Sequence, residues 1–177
     1  MTIELREVVQ DDIKTIKPWL TDKENTTWLD AFFQNDQLSD EQLALLLLKR
    51  DRRTYMVLYH GVPVGITGIA NIDEVNQSGH LWAVLGRKDY RRKGIITVAL
   101  MLTLKKAYFE LNLHSVNAWV VNGYISKGVC EKLRFNRIGL QRECHRVDGG
   151  LRDRILFDIL RNEFDESALY EFIDKIE

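Results

Sequence analysis

The spacing of apolar residues changes along this chain, and each spacing predicts a type of element. Alternation, or a short apolar run between turn residues, predicts a strand. Seven segments have this pattern: IELREV, TYMVLYH, VGITGIANI, HLWAVL, HSVNAWVV, RIGLQRECHRV and RDRILFDILRNEF. Turn residues join two pairs of them, GVP between the second and third strands and DGG between the last two, so both pairs are predicted hairpins.

Helical spacing occurs between these strands. It is found in DDIKTIKPWL, in SDEQLALLLLKR after a cap-like Ser39, from about Ile95 to Leu111, in NGYISKGVCEKL and in ESALYEFIDKIE. The segment TDKENTTWLDAFFQNDQ has no clear period. The order is then a strand, helices, three strands, a helix, a strand, a helix and two strands. It predicts an α/β (α+β) fold in which helices cover both faces of a mixed sheet, and such sheets bind ligands at the carboxyl ends of their strands.

Length and composition favour one domain, residues 1–177, with a short helical tail at 165–177. The chain has 177 residues and is 45% apolar, which is enough for a core. Its formal net charge is −1, so no overall field favours nucleic acid or an anionic membrane as a partner. A site for an anion must therefore be local.

The termini and the cysteines bear on the cellular compartment. The start MTIELREVVQDD has no basic segment followed by an apolar one, so we expect no signal peptide. The longest strongly apolar run, Leu43 to Leu48, is far shorter than the roughly 20 residues of a spanning helix. Cys130 and Cys144 make no disulfide framework, and the His and Cys residues lack paired metal-ligand spacing. These features predict a cytoplasmic protein with reduced thiols and no metal.

One short stretch carries most of the chemical information. In LGRKDYRRKGIITVAL, residues 85–100, basic side chains precede Gly94 and a long apolar helix follows. The first N–H groups of a helix are unpaired and carry partial positive charge, so they bind phosphate. Glycine lets the backbone approach such a ligand closely. The alternative is a solvated basic turn that Gly94 merely shapes.

This stretch resembles the acyl-CoA-binding motif R/Q-x-x-G-x-G/A of the GNAT superfamily of N-acetyltransferases, with Arg91, Gly94 and Ile96 at the motif positions. HLWAVLG before it and VNGYISKGVCEKLRF after it resemble the neighbouring elements of that family. The ending RIGLQRECHRVDGGLRDRILFDIL resembles the RimJ/RimL-like branch, whose relatives acetylate ribosomal proteins, amino sugars and polyamines. The resemblance covers roughly Ile3 to Phe164. It implies the GNAT fold, with a mostly antiparallel central sheet.

The resemblance also implies a binding site for acetyl-CoA, used as co-substrate. Backbone groups of Val84 and Leu85 would pair with the pantetheine arm as an added strand would. The N–H groups of the following turn would hold the pyrophosphate; its residues are Arg92, Lys93, Gly94, Ile95, Ile96 and Thr97. Asn122 and Ser126 would contact the far side of the pantetheine, and Lys127 would reach a CoA phosphate.

The sequence departs from the family pattern at several positions. Ile96 stands where a small residue is usual, Gly123 where the family Asn aligns, and Arg134 where glycine is usual. Cys130 stands where many members carry the tyrosine that protonates the leaving thiolate. Cys130 is therefore either that acid or a small buried side chain.

Acetyl transfer to an amine needs a base or a water relay, because a protonated amine has no lone pair. His80 begins the strand before the binding loop, close to a frequent family glutamate, and titrates near neutral pH. It is our candidate base, with a packing role at the strand edge as the alternative. Asp73 and Glu74 either orient the amine or form an exposed acidic loop. The other histidines, His60, His114 and His145, read as turn or surface residues.

Three aromatic residues, Trp28, Phe32 and Phe33, either wall the acceptor pocket or form a buried cluster. We expect an acetyl-CoA-dependent N-acetyltransferase, a monomer or homodimer, whose acceptor is a small-molecule or peptide amine. A protein N-terminus, an amino sugar, a polyamine and an aminoglycoside all remain open. The alternative is a non-catalytic CoA-binding sensor or interaction module. A third reading, an RNA-binding domain using Arg91 to Lys93, requires aromatic residues on a sheet face beside the basic patch.

Overall fold

The computed structural model describes residues 3–34, 37–124 and 127–173. In this part of the chain seven strands form one sheet in the order β1-β2-β3-β4-β5-β7-β6. The strands are β1 Ile3–Glu7, β2 Arg53–Tyr59, β3 Val62–Asp73, β4 Ser78–Leu85, β5 Ser115–Val121, β6 Asn136–Val147 and β7 Gly150–Leu160. The α-helices are α1 Ile13–Thr21, α2 Lys23–Thr26, α3 Asp40–Leu47, α4 Ile95–Phe109, α5 Lys127–Lys132 and α6 Ser167–Ile173.

The sheet is mixed and mostly antiparallel, as the sequence predicts. Strand β4 pairs with β5 in parallel, and the other neighbouring strands pair antiparallel. The two predicted hairpins are present as β2–β3 and β6–β7. Because β4 and β5 run in parallel, α4 serves as the crossover between them.

Helices cover both faces of the sheet, because successive residues of a strand point to opposite faces. On one face α4 packs on a core cluster that includes Val57, Ile69 and Leu81. On the other face α1 and α3 pack on a second cluster that includes Met56 and Val84. We call these the α4 face and the α1–α3 face. The long apolar helix α4 thus lies on one side of the sheet, and the segment that contains α1 to α3 lies on the other.

Element boundaries differ from the predicted ones where local hydrogen bonds decide them. The segment without a clear period contains α2, which forms because the Asp22 carboxylate accepts a hydrogen bond from the Glu24 backbone N–H at 3.0 Å. Helix α4 ends at Phe109, two residues early, and Asn112 beyond it has a φ of 53°. The helix expected from Asn122 onward is described only as α5, from Lys127.

Candidate functional site

The centre of the sheet opens where β4 and β5 stop pairing. Their parallel ladder joins Ser78–His80 to Ser115–Asn117, although β4 continues to Leu85 and β5 to Val121. Over its last residues β4 pairs with β3 on one edge, and β5 pairs with β7 on its far edge. The facing edges of the two strands are therefore free to accept an extended ligand by strand addition. Val84 and Leu85, to which the family resemblance assigns contact with the pantetheine arm, lie on this open part of β4.

The loop after β4 brings uncapped N–H groups to the end of this opening. Gly94 is the N-cap of α4, with φ 78°, and Arg92 has φ 64°. Because Gly94 has no side chain to accept them, the first N–H groups of α4 make no capping hydrogen bond to it. They lie at the N-terminus of a 15-residue helix, and the dipole of that helix favours an anion here.

The first residues of α4 anchor the loop rather than line it with side chains. Ile95 and Thr97 are buried, and Ile96 packs, partly buried, against the cluster on the α4 face. The large side chain of Ile96 thus points into apolar packing. Only its backbone N–H belongs to the candidate anion site.

Two of the five basic side chains of the loop, Lys88 and Arg91, are held by acidic residues of α2 and its cap. The Arg91 guanidinium lies 3.1 Å from the Glu24 carboxylate, and Lys88 lies 2.7 Å from Asp22 and 3.1 Å from Glu24. The hydrogen bond from Lys88 lowers the pKa of both Asp22 and Glu24. This ionic cluster ties the candidate phosphate loop to the segment on the α1–α3 face.

The three remaining loop cations do not contact α2. Arg87 pairs with Asp89 at 2.7 Å. The Lys93 Nζ lies 4.8 Å from the centre of the Tyr90 ring. Arg92 is exposed in its left-handed turn. Arg92 and Lys93 directly precede Gly94, the N-cap of α4.

The second side of the expected CoA site lies after β5. Asn122 is exposed in a turn, where its N–H donates to the Asp153 carbonyl at 2.9 Å. Lys127 begins α5 and pairs with Glu131 at 3.5 Å. Ser126 lies outside the described residues.

His80 and Asn117 form the last residue pair before β4 and β5 separate, so His80 lies inside the sheet and not at a strand edge. Its ring is 9% exposed and stacks on Trp119 with centroids 6.0 Å apart. Nδ1 lies 2.7 Å from Asn117 Oδ1, and Asn117 Nδ2 donates to the Gly79 carbonyl at 3.0 Å. Because that second bond fixes the amide, Oδ1 must accept and Nδ1 must carry the proton.

This arrangement leaves the second ring nitrogen of His80 as the basic one. Nε2 makes no hydrogen bond to a described residue, and the neutral tautomer puts its lone pair there. Burial lowers the pKa of His80 from the usual 6.5, and the Asn117 hydrogen bond opposes that shift. Neutral imidazole therefore predominates at pH 7.

Next to His80 lies a cluster that joins the segment after α2 to the last two strands, β6 and β7. The Arg154 guanidinium lies 3.6 Å above the Trp119 ring and donates to His145 Nδ1 at 2.9 Å. His145 Nε2 therefore carries the proton and donates to the Thr27 carbonyl at 2.7 Å. Arg154 also lies 3.7 Å from Asp30. Strands β6 and β7 thus hold the segment after α2 beside His80.

The expectation that His145 is a turn or surface residue is wrong. Its side chain is 3% exposed, because Trp119, Arg154 and the Thr27 carbonyl enclose it. His60 and His114 are exposed, as expected. Sequence analysis also missed Asn117, Trp119 and Arg154. Strand alternation placed Asn117 and Trp119 on one face of β5, and that was the only available signal for them.

The three aromatic residues expected near the acceptor divide between roles. Trp28 stacks on Tyr124 with centroids 4.2 Å apart, and Phe33 stacks on Trp82 at 5.9 Å. The first contact joins the segment before α3 to the turn after β5, and the second joins it to β4 on the α1–α3 face. Phe32 is 44% exposed and only borders Phe33.

Asp73 and Glu74 lie at the end of β4 opposite the phosphate loop. The Asp73 carboxylate accepts hydrogen bonds from the Val75 and Asn76 backbone N–H groups at 3.0 and 2.8 Å. It also accepts one from the Asn76 side chain, and these bonds lower its pKa. This carboxylate builds the β3–β4 turn. Glu74 is exposed beside it.

Cys130 packs in the apolar cluster of the α4 face and is 8% exposed. Burial raises the pKa of its thiol to about 11. In the described part of the chain, no neighbouring cation lowers the pKa of this thiol. These surroundings favour the small buried side chain over the catalytic acid.

Two further observations concern metals and membranes. Within residues 3–34, 37–124 and 127–173, no three His, Cys, Asp or Glu side chains are grouped to hold a metal ion. Among the helices of those ranges, none combines the length and apolarity that crossing a membrane requires.

The sequence matches the family model described as "Acetyltransferase (GNAT) family" over residues 13–133. A curated relative from Bacillus subtilis (strain 168), named "Putative ribosomal N-acetyltransferase YdaF", is 27% identical over 147 residues. That match covers 78% of this chain and 79% of the relative.

Solved structures share the fold. The spermidine N-acetyltransferase from Vibrio cholerae, in complex with CoA and spermine, superimposes with a TM-score of 0.82 at 18% identity. That alignment covers 92% of this chain and 97% of the other. Mycobacterium smegmatis RimJ in complex with CoA-disulfide gives a TM-score of 0.83 at 21% identity, covering 97% and 88% of the two chains.

Proposed function

Because the chain belongs to the GNAT family of acetyltransferases, whose members use acetyl-CoA, we propose that it transfers an acetyl group to a primary amine by direct attack on the thioester. The acceptor is a small-molecule or peptide amine that enters on the α1–α3 face. The observation that carries this proposal is the position of His80, at the point where β4 and β5 separate, with Nε2 unpaired.

The residues of the opening suit the donor substrate. Backbone groups of β4 from Leu81 to Leu85 would pair with the pantetheine arm along the free strand edge. The uncapped N–H groups from Gly94 to Thr97 would hold the pyrophosphate, and Arg91 to Lys93 supply positive charge around it. On the far side Asn122 and Lys127 would contact the arm and a phosphate.

His80 is the proposed base. Its Nδ1–H is held by Asn117, so the Nε2 lone pair accepts a proton from the amine directly or through one water. Backbone N–H groups on the open part of β4 donate to the thioester oxygen as negative charge develops there. Most of the acceleration then comes from holding amine and thioester side by side.

Release of the CoA thiolate needs a proton. The buried Cys130 thiol, with its pKa raised to about 11, belongs to the apolar core. We therefore assign this proton to solvent water, and we leave Cys130 out of the chemical step.

The test is release of free thiol from acetyl-CoA across a panel of primary amines, with mass spectrometry to identify the acetylated product. We expect amine-dependent release above the buffer rate, and calorimetric binding of CoA. Tight CoA binding with no thiol release on any amine would instead indicate a non-catalytic CoA-binding module.

A further inference from the structure

Arg52 is a partly desolvated cation without an anionic partner. It directly precedes β2, is half-buried, and its guanidinium carbon lies 5.4 Å from the centre of the Trp82 ring. Its guanidinium makes no hydrogen bond or ion pair with any residue in the described ranges. Burial lowers its pKa, while Asp51 and Asp30 act on it only through their charge. A buried cation is costly unless a partner compensates it, so this arrangement suits a bound anion.

Trp82, beneath this guanidinium, carries a second unpaired donor. Its indole Nε1 is buried and has no hydrogen-bond partner in the described part of the chain. Its ring also stacks on the Phe33 ring, with centroids 5.9 Å apart. Trp82 thus holds the Arg52 guanidinium by a cation–π contact while its own Nε1–H donor stays unpaired.

Strand register places Arg52 close to the candidate base. Arg53 pairs with Ile69, and Ala70, the next residue of β3, pairs with His80. Arg52 and His80 therefore lie in one row across β3, with roughly 10 Å between their backbones. Residues in one row point to the same face, and the positive charge of Arg52 acts on His80 in opposition to its protonation.

The charges around His80 disfavour a polycationic acceptor. Arg52 and Arg154 both oppose the protonated form of His80, and Asp30, the carboxylate that favours it, already lies beside Arg154. A polyamine needs carboxylates to replace its lost hydration, and this face presents arginines.

We propose that Arg52 binds an anionic group, a carboxylate or a phosphate, carried by the acceptor amine, and so selects acidic amines. This inference rests on the proposed acetyltransferase function. Guanidinium forms paired, charge-assisted hydrogen bonds with both groups. With the anion at Arg52, the amine of a small amino acid, amino-sugar acid or phospho-amine lies toward His80 Nε2. The two kinds of anion define two arms of the test.

The experiment compares acceptors in matched pairs. The carboxylate arm sets amino acids against their amides, the phosphate arm sets phosphoethanolamine against ethanolamine, and spermidine serves as the cationic probe. We expect kcat/KM for the acidic member of at least one arm to exceed that of its neutral partner by about tenfold or more. The amine of an amino acid amide is less basic than that of the amino acid, so more of it is unprotonated and able to react at neutral pH. A preference for the acidic member therefore reports binding.

Variants then assign the preference to Arg52. Arg52→Gln should reduce the acidic-to-neutral ratio to about one and leave CoA affinity intact, whereas Arg52→Lys should keep part of the ratio. Arg50→Gln, at an exposed arginine of the same turn, is the matched control and should keep all of it.

Several outcomes contradict the inference. Equal rates within every pair, or an unchanged ratio in a folded Arg52→Gln protein, would overturn it while leaving the acetyltransferase proposal intact. Efficient acetylation of spermidine alone would do the same. Acetylation of peptides alone would also overturn the inference only. A chain that binds CoA and acetylates neither these amines nor any peptide or other primary amine would contradict the proposed function and this inference together.

Discussion

His80 Nδ1 and Asn117 Oδ1 lie 2.7 Å apart across the last residue pair that joins β4 to β5. The bond forms at the point where the two strands separate, so one contact both closes the parallel ladder and orients the imidazole. Asn117 is held in turn by its hydrogen bond to the Gly79 carbonyl. The tautomer of His80 is therefore set by the backbone of its own strand.

Replacing His80 tests its role as base. His80→Ala should lower kcat by roughly 100-fold or more, because general-base catalysis contributes about that much, with little change in CoA affinity. In the parent protein kcat should fall as the pH drops through the pKa of His80, which burial keeps below 6.5. The variant should lose this acid limb. His114→Ala, at an exposed histidine, is the control; equal rates and profiles in all three proteins would return His80 to a packing role.

Asn117→Asp tests positioning through a change in pH dependence. A carboxylate beside Nδ1 stabilises the imidazolium, so the pKa of His80 should rise and activity should be lost at a higher pH than in the parent. Asn117→Ala should lower kcat without that upward shift. Rate profiles measured against pH separate the two variants, and an acid limb that does not move in Asn117→Asp would contradict the assigned contact.

Gly94→Asp tests the phosphate site, with Gly149→Asp as its matched control. Both glycines have left-handed backbones, φ 78° and φ 81°, so both substitutions add strain of about 1–2 kcal/mol. Only the carboxylate at position 94 lies at the N-terminus of α4, where it repels phosphate or occupies the N–H groups. CoA affinity should fall about tenfold or more in Gly94→Asp alone, as calorimetry can measure. Unchanged affinity would place the pyrophosphate elsewhere.

Cys130→Ala tests whether the thiol belongs to the core. The loss of a small buried group should lower the free energy of unfolding by about 1 kcal/mol and leave turnover within a few-fold of the parent. In the unmodified protein Cys144, which is partly exposed, should react with thiol reagents before Cys130. A variant with a native melting temperature and a turnover rate about 100-fold lower would show that the thiol takes part in the reaction.

Much of the fold was predictable because its signals are local. The alternation within strands, the turns GVP and DGG, and the apolar run after Gly94 each depend on a few neighbouring residues. The conformation of Gly94 follows from the same logic, since a loop that meets a helix there favours a residue free to adopt positive φ.

The acceptor side of the site was less predictable because its contacts join distant segments. The sequence RECHRVDGG places His145 near a turn, and only its contact with Thr27 shows why it is buried. Arg52 reads as one of several basic residues after α3 until register places it beside Trp82. Such neighbours are set by strand order, which a single sequence does not state.

The hydrogen bond between His145 and Thr27 has a kinetic consequence for folding. It closes a loop of 118 residues, and closing so long a loop costs chain entropy before the contacts that stabilise it can form. The segment matched by the family model ends at residue 133, before either β6 or β7 begins. We therefore expect a chain emerging from the ribosome to form β4 and α4, which supply the free strand edge and the phosphate loop, before β7 pairs with β5. Thr27 and Asp30, on the proposed acceptor side, gain their contacts with His145 and Arg154 only when the last hairpin docks. We therefore expect chains that lack this hairpin to lose discrimination among amines.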